Sequence, residues 1–194
     1  MAGTVWSNNN APFYDIEIEN ADGTPPAAAV VTAIHAAVEP TANIWQVEAI
    51  AAQPGVGRNV VIDVVDANSS MTTVTYEIIG LDTKGRGQEE TITDGLAGTR
   101  LITGTKMFKT LTTVRHYVTG TVTGAADTVS AGYGDRVELP YDIEETTDIW
   151  SRREDGNAGV GTIDADNQAW ILSGGNKPDG INRYFVTGRA TVGE

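Results

Sequence analysis

From residue 44 to residue 131 the chain is cut into short runs that are either β-branched throughout or alternate between apolar and polar side chains. Ile44-Trp45-Gln46-Val47-Glu48-Ala49-Ile50 alternates, Asn59-Val60-Val61-Ile62-Asp63-Val64-Val65 is a β-branched run, and Thr73-Val74-Thr75-Tyr76-Glu77-Ile78-Ile79-Gly80-Leu81 is a longer one. A two-residue period sends successive side chains to opposite faces of a strand, and a continuous apolar run suits a strand covered on both faces. The turn Asp82-Thr83-Lys84-Gly85 and the returning Gln88-Glu89-Glu90-Thr91-Ile92-Thr93 predict a hairpin. Further strands are expected over 99–103, 108–114, 116–122 and 128–131, and after residue 140 over 160–163 and 184–191. Strands this short, separated by Gly- and Asp-containing turns, point to antiparallel sheets closed as a sandwich or barrel.

One segment resists this reading. Residues 26–39 carry Ala27-Ala28-Ala29 and Ile34-His35-Ala36-Ala37-Val38, and Pro25 and Pro26 suit the first turn of a helix. Val30-Val31-Thr32 is β-branched, however, and no apolar stripe of period 3.6 emerges, so helix and strand both stay open. The expected fold class is therefore all-β, mainly antiparallel, β-sandwich or barrel-like, with an extended N-terminal arm and at most one short helix. Residues 1–14 form the expected arm, because Asn8-Asn9-Asn10 has no periodicity while Val5, Trp6, Phe13 and Tyr14 flank it as large apolar anchors. Residues 15–194 are expected as a single β-rich domain, with a core module over about 44–140 and a more polar portion over 141–194.

The chain has 26 acidic and 13 basic residues, a formal charge of -13. That field repels a phosphate backbone, so nucleic-acid binding is not expected. No segment approaches the ~18 consecutive apolar residues of a membrane-spanning helix. The first ten residues lack the basic region and apolar core of a signal peptide, so the expected site of synthesis is the cytoplasm. With 0 cysteines, disulfides, thiolate metal sites and cysteine nucleophiles are excluded together.

Chemistry is sparse. A base titrating near neutrality can come only from His35 or His116. His116 lies in Val114-Arg115-His116-Tyr117-Val118, a predicted strand, and His35 has no Asp, Glu or Cys at ligand spacing, so both read as structural or surface histidines. Asp63, Asp66, Asn68 and Ser69, and separately Asp164, Asp166 and Asn167, place oxygen donors close together as calcium loops do. Neither set follows the twelve-residue loop pattern, and Asp and Asn are also the ordinary material of β-turns. Gly55-Val56-Gly57-Arg58 and Gly85-Arg86-Gly87 lack the Lys-Ser or Lys-Thr of a phosphate loop. No catalytic, cofactor or metal site is expected, and the protein reads as no enzyme.

The block over 51–140 resembles a recurrent module of structural proteins of tailed bacteriophages. The resemblance lies in the order of its motifs: Ala52-Gln53-Pro54-Gly55-Val56-Gly57-Arg58-Asn59-Val60, then Ile78-Ile79-Gly80-Leu81-Asp82-Thr83-Lys84-Gly85 with the return Glu89-Glu90-Thr91-Ile92, then Gly104-Thr105-Lys106-Met107-Phe108, then Asp127-Thr128-Val129-Ser130-Ala131-Gly132-Tyr133-Gly134-Asp135 before Leu139-Pro140. It departs from the module at Val137-Glu138, where a Gly before Leu-Pro is expected. The resemblance implies a non-enzymatic virion protein, in its strongest form a capsid decoration (cement) protein. Such a protein sits between capsomers on the capsid exterior, bound to the major capsid protein, often as a homotrimer. An arm that adds to a partner's sheet edge suits that role, with Val5, Trp6, Phe13 and Tyr14 as partner contacts. A tail-tube or tail-associated subunit and a carbohydrate-binding module are the alternatives.

Overall fold

The protein, as a computed structural model, is described over residues 4–7, 12–20, 22–155, 157–173 and 177–189. Its regular structure is antiparallel β throughout, apart from one isolated parallel bridge between Ala42 and Val118 and the short 3₁₀ turns Gly124–Ala126 and Thr146–Asp148. Among the described residues no helix is long and apolar enough to cross a membrane.

Two compact units divide the chain. The central unit comprises Val30–Pro54 and Arg58–Gly134, and the terminal unit comprises Met1–Ala29, Gly55–Gly57 and Asp135–Glu194. The change of character seen in the sequence after Pro140 falls just beyond Asp135, where the chain passes from one unit to the other.

In the central unit, β3 (Val30–Val38), β5 (Arg58–Asp66), β8 (Arg100–Phe108) and the first part of β10 (Asp127–Glu138) form one ladder, with β5 between β8 and β10 and β3 paired to β10. A second sheet has the order β4-β9-β6-β7, from β4 (Gln46–Val47), β6 (Met71–Leu81), β7 (Gly87–Asp94) and β9 (Thr110–Gly120). The expected hairpin is present as β6 and β7, paired in unbroken register from Val74 opposite Asp94 to Leu81 opposite Gly87. Alternation does the sorting: Val74, Tyr76 and Ile78 of β6 and Val114, His116 and Val118 of β9 are buried, while Thr75, Glu77, Arg115 and Tyr117 between them are more exposed. The buried side chains join Val60, Ile62, Val64, Phe108, Val129 and Ile34 in one core. Each such aliphatic side chain contributes roughly 1.5–3 kcal/mol when fully buried.

The alanine-rich segment is a strand, β3, not a helix. Alanine's helix preference is worth only a few tenths of a kcal/mol per residue over most neighbours, whereas pairing to β10 satisfies the backbone and buries Ile34. That pairing needs close approach: a Cβ on Gly132 of β10 would sit 1.7 Å from the Val30 carbonyl oxygen. Two other expectations shift. The alternating run 44–50 forms a ladder only at Gln46–Val47, and the strands expected over 108–114 and 116–122 are a turn at Lys109 followed by one continuous β9.

The terminal unit holds a sheet of order β1-β2-β15-β11-β12, from β1 (Thr4–Ser7), β2 (Pro12–Ile18), β11 (Ile149–Glu154), β12 (Asn157–Ala158) and β15 (Tyr184–Arg189). A second ladder joins β13 (Gly161–Asp164) to β14 (Ala169–Leu172), and β14 to the last residues of β10. The core of this unit is Ile18, Val137, Leu139, Tyr141, Ile143, Trp170, Leu172, Tyr184 and Val186, with Val56. The stretch expected as an arm supplies β1 and most of β2; β2 pairs with β15 from Phe13 opposite Arg189 to Ile18 opposite Tyr184.

Candidate functional site

The two histidines, far apart in sequence, meet inside the central unit. β3 carries His35 and β9 carries His116 to the same core, where they are 3% and 0% exposed and their rings stack 6.3 Å apart. Tyr76 of β6, also fully buried, stacks on His35 at 5.8 Å and lies 5.5 Å from His116. Alternation on β6 and β9, with Tyr76 directly opposite His116, aligns the pair; the β3–β10 pairing supplies the third ring.

Hydrogen bonds define the state of each ring. His35 Nδ1 lies 2.9 Å from the Ala36 carbonyl, which can only accept, so Nδ1 carries the proton and Nε2 accepts from the Tyr76 hydroxyl at 3.0 Å. His116 Nε2 lies 3.2 Å from Gln46 Oε1, an oxygen that also accepts the Thr41 N–H. His116 therefore donates from Nε2, and its bare Nδ1 faces the Glu48 carboxylate at 3.4 Å without a hydrogen bond. Burial disfavours the imidazolium and pushes His116 down from 6.5 to about 4, with the neighbouring His35 acting in the same direction. Burial likewise lowers His35, against the raising effects of the Ala36 carbonyl and Glu48, and raises Tyr76 well above its ordinary value. General acid–base chemistry needs such groups within reach of a substrate, and these three rings lie beneath the sheet. The cluster binds and refuses protons; it has no surface on which to react.

The oxygen clusters serve turns. The Asp66 carboxylate accepts N–H bonds from Ser70 (2.9 Å), Met71 (3.2 Å) and Gly98 (2.9 Å). Asn68 donates to Thr123, and Ser69 takes a left-handed backbone with φ 55°. Asp164 accepts from the Asn167 backbone (3.1 Å) and side chain (2.9 Å) and from Arg136 (3.2 Å). Among the described residues no group of three His, Asp or Glu is placed to hold a metal ion. In the Gly55-Val56-Gly57-Arg58 stretch, Arg58 is buried and donates to the Gly134 carbonyl at 2.9 Å. In the Gly85-Arg86-Gly87 stretch, the Arg86 N–H and guanidinium both bond to Asp82.

Two surface features remain. In the central unit Ile44, Trp45 and Val47 form an exposed apolar strip along the β4 segment, with Trp45 40% and Val47 72% exposed. Trp45 packs on Tyr117 at 5.3 Å with planes tilted by 38°, and the Arg115 guanidinium lies 4.7 Å above the Trp45 ring while pairing with Glu77. The alternation over 44–50 signalled this segment, but the side on which its apolar residues fall was not readable without its partner strand. In the terminal unit an open cleft of about 360 Å³ is lined by Thr146, Ile149, Arg152, Gly161, Thr162 and Ile163, and Arg152 spans it to the Gly161 carbonyl at 2.6 Å.

Of the expected partner contacts, Tyr14 is half-buried and stacks on Tyr141 at 5.0 Å, within its own unit. The backbones of Val5, Trp6 and Phe13 are in strands, with Val5 opposite Tyr14 and Trp6 opposite Phe13, and β1 is the outer strand of that sheet. The side chains of Val5, Trp6 and Phe13 lie outside the described residues. No protein-family model matches the chain, and comparison with curated proteins and with solved structures gives no match.

Proposed function

We propose that this is a non-enzymatic structural protein of a tailed-phage virion, acting as a decoration protein that binds the major capsid protein between capsomers on the head exterior. The observation that carries the reading is how the motifs behind the resemblance are spent. Asp82 closes the β6–β7 turn, Glu90 receives the Gly104-Thr105-Lys106 segment, and Arg58 ties β5 to Gly134. Motifs used as joints suit a module whose work is to hold a shape. Binding then falls to surfaces: the outer strand β1, with Val5 and Trp6, is a free edge to which a partner strand can add. The exposed strip at Ile44, Trp45 and Val47 offers apolar anchors of the kind that dominate interface energies. The acidic surplus of -13 keeps a protein made in many copies in the host cytoplasm soluble, and a homotrimer fits a three-fold site on the shell.

A carbohydrate platform fits less well. It requires exposed rings side by side in one plane, whereas Trp45 and Tyr117 are tilted against each other and Arg115 covers one face of Trp45.

Cosedimentation of the purified protein with mature capsids that lack it, with isolated tails as the control, tests the proposal. Saturable binding to capsids alone, at a stoichiometry set by the symmetry axes of the shell, is the expected result. Binding to tails alone moves the protein to the tail apparatus, and binding to neither rejects the virion reading and makes glycan screening the next step.

A further inference from the structure

The segment 41–48 of the central unit is held to β9 by few bonds. Two backbone bonds attach it, from the Asn43 N–H to the Val118 carbonyl (2.8 Å) and from the Glu48 N–H to the Val114 carbonyl (2.9 Å), beside the two-residue ladder at Gln46–Val47. Its apolar residues Ile44, Trp45 and Val47 are exposed, so they add little burial. Its inward anchor is polar. Gln46 Oε1 bridges the Thr41 N–H and His116 Nε2, and the Glu48 carboxylate stands against His116 Nδ1. One fully buried imidazole thus holds an exposed segment from beneath.

That imidazole can satisfy the segment only while neutral. A second proton, on Nδ1, places a cation in a core where three titratable groups face it: Glu48 from the segment, His35 from β3 and Tyr76 from β6. Arg115 and its partner Glu77 are more exposed, in the alternate positions of β9 and β6. Glu48 favours the proton; burial and His35 oppose it, and burial is the larger effect. A charged ring seeks water. On the β6 side its route is blocked by a ladder running from Met71 opposite Gly120 to Leu81 opposite Thr110, whereas on the other side only the segment 41–48 covers the β9 edge.

We propose that His116 is a proton-operated latch: its protonation releases the segment 41–48 from β9 and frees the β9 edge to pair with another strand. The device does not depend on the capsid reading. With His116 near 4 when the segment is closed and near 6.5 when it is open, the opening equilibrium rises about 30-fold between pH 7.5 and pH 5.

Hydrogen exchange on the full chain tests this, with rates corrected for intrinsic exchange at each pH. The Asn43 and Glu48 amides are expected to lose about 30-fold in protection from pH 7.5 to pH 5, while amides of β6 such as those of Tyr76 and Ile78 keep theirs. In His116→Gln, which retains a donor toward Gln46, the dependence disappears. Equal loss of protection in β6, a gain of protection at Asn43 and Glu48 on acidification, or an unchanged dependence in His116→Gln overturns the latch. Direct titration of the His116 ring by NMR in the unmodified protein needs no variant to fold: a midpoint well below 6.5 is expected, and one at or above 6.5 overturns the proposal.

Discussion

His116 also has a consequence for the whole fold's stability. Its pKa is depressed in the folded protein to about 4 from an ordinary 6.5, so the folded state binds fewer protons than the unfolded chain between those values. The associated stability is fully present above pH 6.5 and is lost as pH falls toward 4, by about 3 kcal/mol at 1.36 kcal/mol per pH unit. His35, lowered by burial, acts in the same sense. The lowered carboxyl of Asp82, which accepts bonds from the Arg86 backbone and side chain, gives up its share only at lower pH. Urea unfolding at pH 7.5 and pH 4.5 should show this loss, and His116→Gln should flatten it by most of that amount. An equal pH slope in both proteins would show that the cost lies elsewhere. None of this was visible in the local sequence around either histidine, because the perturbing groups come from four separate stretches of chain.

Among the elements, β7 and β8 show how a motif becomes a joint. The buried Glu90 of β7 points one carboxylate oxygen at the Thr105 N–H (2.6 Å), the Thr105 hydroxyl (3.0 Å) and the Lys106 N–H (3.3 Å) of β8. Charge-assisted bonds of this kind contribute more than neutral ones, roughly 1.5–3 kcal/mol against about 1. The joint closes only because residue 104 has no side chain: a Cβ there would meet Glu90 Oε2 at 2.7 Å, Ile92 Cδ1 at 2.8 Å and the Val60 carbonyl oxygen at 3.0 Å. Gly104→Ala should therefore destabilise the central unit by about 1–3 kcal/mol, as overpacking does elsewhere. A drop in the urea midpoint without change in slope is the expected readout; an unchanged midpoint would mean that β8 moves aside freely. The sequence placed Glu90 and Gly104 in the same module, and only the register of β7 against β8 brings them into contact.

At the scale of the molecule, the expected arm is built into a sheet. Deleting residues 2–7 removes only the outer strand β1, whereas deleting 2–14 also cuts β2 within its ladder to β15 and takes Tyr14 from Tyr141. The shorter deletion should leave both units folded, with near-native unfolding midpoints. The longer one should destabilise the terminal unit while leaving the amide protection of β6 and β9 intact. If the decoration reading holds, the shorter deletion abolishes capsid cosedimentation, and retained binding rejects β1 as the partner contact. The charge balance belongs to this scale too. Arg115, Arg136, Arg153, Arg183 and Lys177 are all paired with carboxylates of their own unit, so much of the basic charge is spent internally and the acidic surplus is what a partner meets.

The sequence by itself determined the strand-and-turn character, because a two-residue period and the backbone habits of Gly, Asp and Asn act over neighbouring residues. It identified β5, β6, β7 and β10, and it identified turn chemistry at Asp66, Asp82 and Asp164. Tertiary structure alone decided that 30–38 is a strand, that Lys109 separates β8 from a single long β9, and that the chain divides at Pro54, Gly57 and Gly134 into two cores. It alone put His35, Tyr76 and His116 on one another and left Trp45 outside. Register and sheet partnership join residues tens of positions apart, and a one-residue slip exchanges the buried and exposed faces of a strand. That choice depends on what lies opposite each strand, and local periodicity carries no record of it.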